Sequence, residues 1–214
     1  TQDVDDIIHE DCMDLTKVYI VTELSSDRKK LLSYSLKKAD LKRFEIDKEI
    51  LDTVVDENYK NDRNKRIRTF KEDVLSHQLL YPLMKLFDHG ALASDDHMGI
   101  IQDSDENYDN VLIITNKYNV YGASYMLDWN TLEEVAERMH SDFYIVPLSI
   151  NQIMCVSSRY VTQDKERYEA EDDLLDMLFE YNKENKNEND ILTYRIYHYM
   201  PDDGKVLFSI KQQL

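Results

Sequence analysis

The sequence is poor in the residues on which several protein classes depend. Of its 214 residues only 4 are Gly, 3 are Pro and 2 are Cys. So few glycines and prolines argue against glycine-rich phosphate loops, collagen-like repeats and long proline-rich linkers. No stretch approaches the roughly 20 apolar residues that a membrane-spanning helix needs. Cys12 and Cys155 lie far apart, which argues against a disulfide framework or a thiolate zinc site and predicts reduced thiols in a cytoplasmic protein.

Positive charge is also scarce. The chain has 26 Lys and Arg against 43 Asp and Glu, a formal net charge of −17. Such a field repels phosphate backbones, so direct DNA binding is not expected. Residues 1–90 carry 16 basic and 19 acidic groups (net −3), and residues 91–214 carry 10 and 24 (net −14). The acidic half is consistent with ordinary solubility charge, or with mimicry of nucleic-acid phosphates in the basic groove of a partner protein.

The residue pattern predicts a single α/β (or α+β) domain over residues 1–214, with a flexible N-terminal segment at 1–16. In the first part of the chain, 17–24 and 31–36 are rich in β-branched and aromatic residues and predict a hairpin. Asp47 is expected to cap a helix with an apolar stripe at Ile50, Leu51, Val54 and Val55. Residues 58–69 are polar and are predicted to form a loop, and a second helix is predicted over 70–86.

The best-patterned block predicts a mixed β-sheet with helices mainly on one face. Residues 111–115 are apolar throughout, as in a central strand, and 120–127 are predicted to return as a second strand. A helix capped by Asn130 follows, and strands are predicted at 143–146, where Pro147 ends the strand, and at 150–156. The apolar stripe of this helix consists of Leu132, Val135, Ala136 and Met139.

The end of the chain predicts a helix followed by a C-terminal β-hairpin. Leu174, Leu175, Leu178 and Phe179 form the expected core face of that helix. The turn 201–204 then joins strands predicted at 192–199 and 205–210.

Three segments carry a family resemblance: Thr115-Asn116, the YGAS run at 121–124, and the DFYIVP run at 142–147. Together they resemble an uncharacterised gut-bacterial family, frequent in Clostridia and often found in mobile-element neighbourhoods, which has no known activity. The resemblance extends over residues 17–209 and implies a fold that ends with a helix and a hairpin. Family members usually carry His and Glu where this chain has Asn151 and Gln152, so an acid–base role for that pair is excluded here.

Two clusters of possible metal ligands lie in the acidic middle segment. Asp103, Asp105 and Asn107 match the first three ligand positions of a calcium loop, but Tyr108 and Ile114 stand where that loop needs Gly and Glu. The other cluster, with looser spacing than metal ligands on one helix, consists of His89, His97, Asp95 and Asp96. We therefore predict no metal and no cofactor. A metal-dependent hydrolase using the loop from Asp95 to Asp109 remains the alternative enzyme hypothesis.

No nucleophile has a recognisable setting. Ser157 and Ser158 follow a predicted strand, but no His is near them in the sequence, and neither Cys belongs to a catalytic signature. The sequence therefore predicts a protein that is not an enzyme.

Three sets of residues are candidates for binding another macromolecule. They are the basic residues Arg63, Arg66 and Arg68, the acidic residues Asp172, Asp173 and Asp176, and the tyrosines Tyr194, Tyr197 and Tyr199. Tyrosines beside carboxylates are common at protein interfaces, although cross-strand packing explains them equally well. The leading hypothesis is a non-catalytic acidic cytoplasmic protein that binds a protein partner. A basic nucleic-acid-binding protein would fit the role of that partner. The alternative within binding is a phage or mobile-element inhibitor of a nucleic-acid-guided defence enzyme, acting as a nucleic-acid mimic.

Overall fold

The structure is a computed structural model that describes residues 6–26, 31–70, 72, 110–163, 166–184, 188–203 and 205–208. The chain separates into two compact units, Thr1–Asp62 and Arg63–Leu214. Each unit has a buried apolar cluster of its own. A single domain over 1–214 stays a prediction. The expected second helix at 70–86 lies outside the described residues, apart from positions 70 and 72.

In the first unit, the described residues form two β-hairpins followed by two helices. Its elements are β1 (His9–Cys12), β2 (Leu15–Val18), β3 (Ile20–Leu24), β4 (Leu31–Ser35), α1 (Lys38–Phe44) and α2 (Lys48–Lys60). β1 pairs with β2 and β3 with β4, both antiparallel. Within the segment 1–16 that was expected to be flexible, residues from His9 onward form β1 and the start of β2. Ile8 is buried, and its amide donates to the carbonyl of Leu36 at 2.9 Å, which joins this segment to the unit.

The core of the first unit consists of Ile8, Tyr19, Leu36 and Leu51. Tyr19 interrupts the strand predicted over 17–24, so the hairpin predicted with 31–36 is made by β3 alone. α2 begins as predicted, because the Asp47 side chain accepts a hydrogen bond from the Ile50 amide at 2.9 Å. Of the predicted apolar stripe only Leu51 is fully buried, while Ile50 and Val54 lie on the surface.

The described part of the second unit is a six-stranded sheet with helices between its strands. Its elements are β5 (Lys65–Thr69), β6 (Val111–Asn116), a 3₁₀ helix (Gly122–Leu127), α3 (Trp129–Met139), β7 (Phe143–Ser149), β8 (Gln152–Ser157), α4 (Ser158–Val161), α5 (Arg167–Glu184), β9 (Tyr197–Met200) and β10 (Lys205–Phe208). The strand order is β10-β9-β7-β8-β6-β5. The α/β class and the C-terminal hairpin are confirmed. All strand pairs in the described sheet are antiparallel rather than mixed, as hairpins such as β7–β8 require.

One face of this sheet is covered by α5, and the strands are buried on the opposite face as well. One face packs Ile113, Val146 and Met154 against Leu174 and Leu178 of α5. The alternate side chains of the same strands point to the opposite face and are equally buried, as is the predicted stripe of α3. The reason lies in β6, β7 and β8, which are buried at almost every position and need cover on both sides.

Four local predictions differ from the observed structure. The return strand predicted over 120–127 is the 3₁₀ helix, and β5 occupies part of the loop predicted over 58–69. α3 is capped by Asp128, whose carboxylate accepts from the Thr131 amide, and not by Asn130. Pro147 does not end β7, because β9 pairs with β7 only up to Ile145 and the missing N–H of Pro147 costs no bond there.

Candidate functional site

A polar cluster lies on the face of the sheet that α5 covers, where β9 meets β7. Its members are Asp142, Tyr144, Ser158, Arg167, Glu171 and His198. His198 is at its centre and only 3% exposed. The pairing of Tyr144 with His198 between β7 and β9 sets the position of the ring, and α4 and α5 supply partners from above the sheet.

The partners of the His198 ring determine where its proton lies. Nδ1 is 2.8 Å from Nη2 of Arg167, and Nε2 is 2.6 Å from Oδ2 of Asp142. Because a guanidinium can only donate, Nδ1 carries the lone pair. The proton of the neutral imidazole is therefore on Nε2, which donates it to the Asp142 carboxylate.

The remaining members connect the imidazole to α5. The Tyr144 ring stacks on that of His198, with 4.6 Å between centroids. The Tyr144 hydroxyl donates to Oε1 of Glu171 at 3.2 Å, and Nε of Arg167 donates to the same oxygen at 3.0 Å. The first two turns of α5 are thus linked to β7 and β9 through one hydrogen-bonded network.

The electrostatics agree with a neutral imidazole beside a carboxylate anion. Burial lowers the pKa of His198 and the Arg167 cation lowers it further, which together outweigh the opposing effect of Asp142. Burial raises the pKa of Asp142, but hydrogen bonds from His198 and Ser158 outweigh it and hold that pKa below its usual value. Burial, with the nearby Glu171 charge, raises the pKa of Tyr144 to about 12.

The cluster brings Ser158, His198 and Asp142 together, a combination that sequence reasoning missed. Ser158 and His198 are 40 residues apart, and Oγ of Ser158 is 3.1 Å from Nε2 of His198. In a hydrolytic triad the imidazole nitrogen that faces the serine is unprotonated, and the carboxylate holds the other nitrogen. Here Asp142 and Ser158 meet the same protonated nitrogen, and Arg167 occupies the other. In this arrangement His198 cannot accept the Ser158 proton.

The structure corrects the predicted binding role of two of the candidate tyrosines. Tyr197 and Tyr199 are 0% and 1% exposed, so neither lies on a binding surface. They point to the sheet face opposite His198, where the Tyr199 ring lies 5.0 Å from that of Phe143. Cross-strand packing, which the sequence left open, accounts for both.

The other candidates are at the surface or half-buried. Arg63 and Arg66 are exposed, while Arg68 is half-buried in β5. Tyr194 is 51% exposed, and its ring contacts that of Phe179 on α5 with 6.2 Å between centroids.

The three acidic candidates lie on α5, with Asp176 exposed and Asp172 and Asp173 half-buried. Phe179 was expected in the core, but it is 45% exposed and lies on the same outer side of α5 as Asp176. Tyr168, at 57% exposed, lies there too and was not a candidate. The helical spacing of 168, 172, 176 and 179 was the available signal.

The residues considered as possible metal ligands, His89, His97 and the loop from Asp95 to Asp109, lie outside the described residues. Within the part of the chain that the structure describes, no group of three or more His, Cys, Asp or Glu side chains could hold a metal ion. None of the described helices is both long and apolar enough to cross a bilayer.

Two of the three segments that carry the family resemblance, 115–116 and 121–124, form a motif at the turn between β6 and the 3₁₀ helix. Oγ1 of Thr115 donates to the Asn151 carbonyl at 2.8 Å, and the Asn151 amide oxygen accepts from the Tyr121 backbone at 3.0 Å. A Cβ on Gly122 would overlap the Asn151 carbonyl and lie 2.8 Å from Cα of Thr115, so only glycine fits there. These contacts give the motif a structural role, and Asn151 serves as a hydrogen-bonding amide within it.

Comparison with known proteins identifies a family without an assigned activity. No curated protein and no solved structure matches the chain. The model of DUF5688, a family of unknown function, matches residues 2–200, nearly the whole chain. The chain therefore belongs to this family of unknown function.

Proposed function

We propose that this protein acts without catalysis, by binding a basic partner protein through the outer side of α5. The observation that carries this proposal is the contact between two exposed aromatic rings, Phe179 and Tyr194, beside the carboxylates of that helix. Aromatic rings at the surface supply the buried contact area on which protein interfaces depend most, at low conformational cost.

Charge supports the same surface. The sequence of α5, RYEAEDDLLDMLFEYNKE, contains seven carboxylates and two cations. Tyr168 and Phe179 are eleven residues apart, about 16 Å along the helix axis, with Asp172 and Asp176 between them. We use the name α5 face for the surface formed by Tyr168, Asp172, Asp176 and Phe179 together with Tyr194. An interface of this composition has aromatic anchors surrounded by negative charge, which favours a basic partner and speeds its association.

Two further observations fit this proposal. Cys12 and Cys155 are both free thiols, as expected for a protein that acts in the reducing cytoplasm. The buried network around His198 uses its nitrogens in hydrogen bonds to Asp142 and Arg167, which leaves that imidazole a structural group.

Quantitative capture from the native host tests the proposal. Wild-type protein and the variants Tyr194→Ala and Phe179→Ala are used as bait, with Tyr34→Ala as the matched control. Tyr34 has the same exposed fraction as Tyr194, 51%, but belongs to the first unit. We expect a protein that is captured by wild type and by the Tyr34 variant and is lost with both α5-face variants. A partner retained by all four baits would contradict the proposal.

Charge-reversal variants then distinguish electrostatic attraction during association from direct contact in the complex. With the captured partner, Asp176→Lys should reduce the association rate several-fold at low salt and much less at high salt. Glu137→Lys, an equal charge change at an exposed position of α3, is the control. Tyr194→Ala should mainly increase the dissociation rate. Equal effects of the two charge reversals would mean that net charge matters and the α5 face does not.

The nucleic-acid mimic is a narrower form of the same proposal. Asp172, Asp176 and Glu180 follow one another at intervals of four residues, so their carboxylates form a line along α5. A partner that normally holds RNA or DNA in a basic channel would accept such a line in place of phosphates. Single-stranded RNA should then compete with the protein for that partner, and the Asp176→Lys variant should compete poorly. If added nucleic acid does not reduce binding to the partner, mimicry is excluded, but binding through the α5 face is not.

A further inference from the structure

We propose that His198 is a proton-sensitive latch, which holds the first turn of α5 to β9 while its imidazole is neutral and releases it when the imidazole is protonated. The geometry around Nδ1 carries this inference. That nitrogen accepts from Nη2 of Arg167 at 2.8 Å, and Arg167 is the first residue of α5. The inference concerns the free protein and does not depend on the α5 face having a partner.

In the neutral state the latch joins three elements. Arg167 donates to Nδ1 with Nη2 and to Glu171, one turn along α5, with Nε. Nε2 of the same imidazole donates to Asp142, which precedes β7. The start of α5 is thus connected to β9 by one hydrogen bond whose acceptor is a titratable nitrogen.

Protonation removes that acceptor. An imidazolium donates from both nitrogens, so neither a ring flip nor a change of tautomer can restore an acceptor for Arg167. Two donors and two positive charges would then face each other at hydrogen-bond distance. The bond to Asp142 remains favourable, which keeps the ring in place. Arg167 is the group that can leave, because 58% of its side chain is already exposed to solvent.

Charged and titratable groups reach His198 from each element packed against it. Asp142 and Tyr144 approach from β7, Ser158 from α4, and Arg167 and Glu171 from α5. On β10 the residue paired with His198 is Leu207, which does not ionise. Burial and Arg167 disfavour the imidazolium while the two carboxylates favour it, and the balance leaves the pKa of His198 below its ordinary value.

The sign of the pH effect follows from that balance. The pKa of His198 is lower in the folded protein than in the unfolded chain, so the unfolded chain binds the extra proton first. The contribution of the latch is complete above the unfolded pKa, near 6.5, and is lost as pH falls through the lower folded pKa. The latch is therefore closed at neutral pH and opens only as pH falls through the lowered folded pKa of His198.

Hydrogen exchange of the full chain tests the latch. The reporters are the amides of Glu169 and Ala170, which both donate to the Glu166 carbonyl in the first turn of α5. Exchange is measured in steps from about pH 7.5 downward until the NMR titration of the His198 ring is complete, and corrected for intrinsic rates. We expect their protection to fall roughly threefold or more in acid, with a midpoint that matches the NMR titration of the His198 ring.

Two variants and a control make the result specific. His198→Gln keeps an acceptor for Arg167 at every pH, so its first-turn protection should not change with pH. Arg167→Gln removes the repelled cation, so the pKa of His198 should rise and the pH effect disappear; this surface substitution also serves if the His198 variant does not fold. His140→Gln removes an exposed imidazole of the same unit and should leave the response intact. Unchanged protection in wild type, or an equal response in His198→Gln, would overturn the latch.

Discussion

Truncating Leu174 tests whether α5 is docked on the sheet as described. Leu174 is 0% exposed and packs in the cluster that includes Ile113, Val146 and Met154. Leu174→Ala removes three buried carbons, which is about 2.4 kcal/mol at about 0.8 kcal/mol per methylene. A cavity cost is added because rigid strands on the other side of the site can relax only partly. We expect a total loss of about 3 to 4 kcal/mol in the free energy of unfolding, within the usual range of about 2–5 kcal/mol.

Urea unfolding followed by tryptophan fluorescence measures this loss. The chain has 1 Trp, and Trp129 lies in the second unit, so its emission reports on the unit that contains α5. With a slope of about 2 kcal/mol per molar urea, the midpoint should fall by roughly 1.5–2 M at unchanged slope. Phe179→Ala is the matched control on the same helix; its ring is half-exposed, and its loss should stay below about 1 kcal/mol. A loss below about 0.5 kcal/mol for Leu174→Ala would show that α5 is not packed there.

Three further predictions follow from individual residues. Gly122→Ala should cost about 1–3 kcal/mol in the same urea assay, because its Cβ would overlap the backbone of Asn151; an unchanged midpoint would refute the close approach. Burial raises the pKa of Asp52, but hydrogen bonds from tyrosine and lysine side chains outweigh it and lower that pKa to about 2. The first unit should therefore lose stability as pH falls from about 4 to about 2, and Asp52→Asn should flatten that dependence in NMR-monitored melting. Burial raises the pKa of Cys155, which is 0% exposed, so a thiol reagent should modify Cys12 alone in the folded protein and both thiols in urea.

Local patterns predicted much of the fold, because burial of a helix stripe or a strand is visible in residue spacing. The stripe of α3 and the C-terminal hairpin were found in this way. The strand β5 was missed because its sequence, KRIRT, carries charges at three of five positions, and only its pairing with β6 makes it a strand. The 3₁₀ helix was missed because Gly122 fits against Asn151, a contact between residues that the sequence does not bring together.

The candidate site was only partly predictable for the same reason. The acidic residues of α5 and Tyr194 were identified from composition, and they do lie at or near the surface. Phe179 was misjudged because it follows Leu178 in an apolar run, and one position along a helix is a rotation of 100°. The cluster around His198 depends on the register between β7 and β9, which no local signal in the sequence specifies.

The residues that carry the family resemblance and the residues proposed to bind a partner have separate roles. Within the motif, the Asn116 side chain accepts from the Tyr118 and Val120 amides and donates to the Val120 carbonyl. Together with the contacts of Thr115 and Asn151, these bonds occupy the polar side chains of the turn inside the fold. A substitution there should act on stability first, and on binding only through loss of the fold. The α5 face has the opposite character, since its aromatic rings project to solvent, and substitutions there can change binding while the core remains intact.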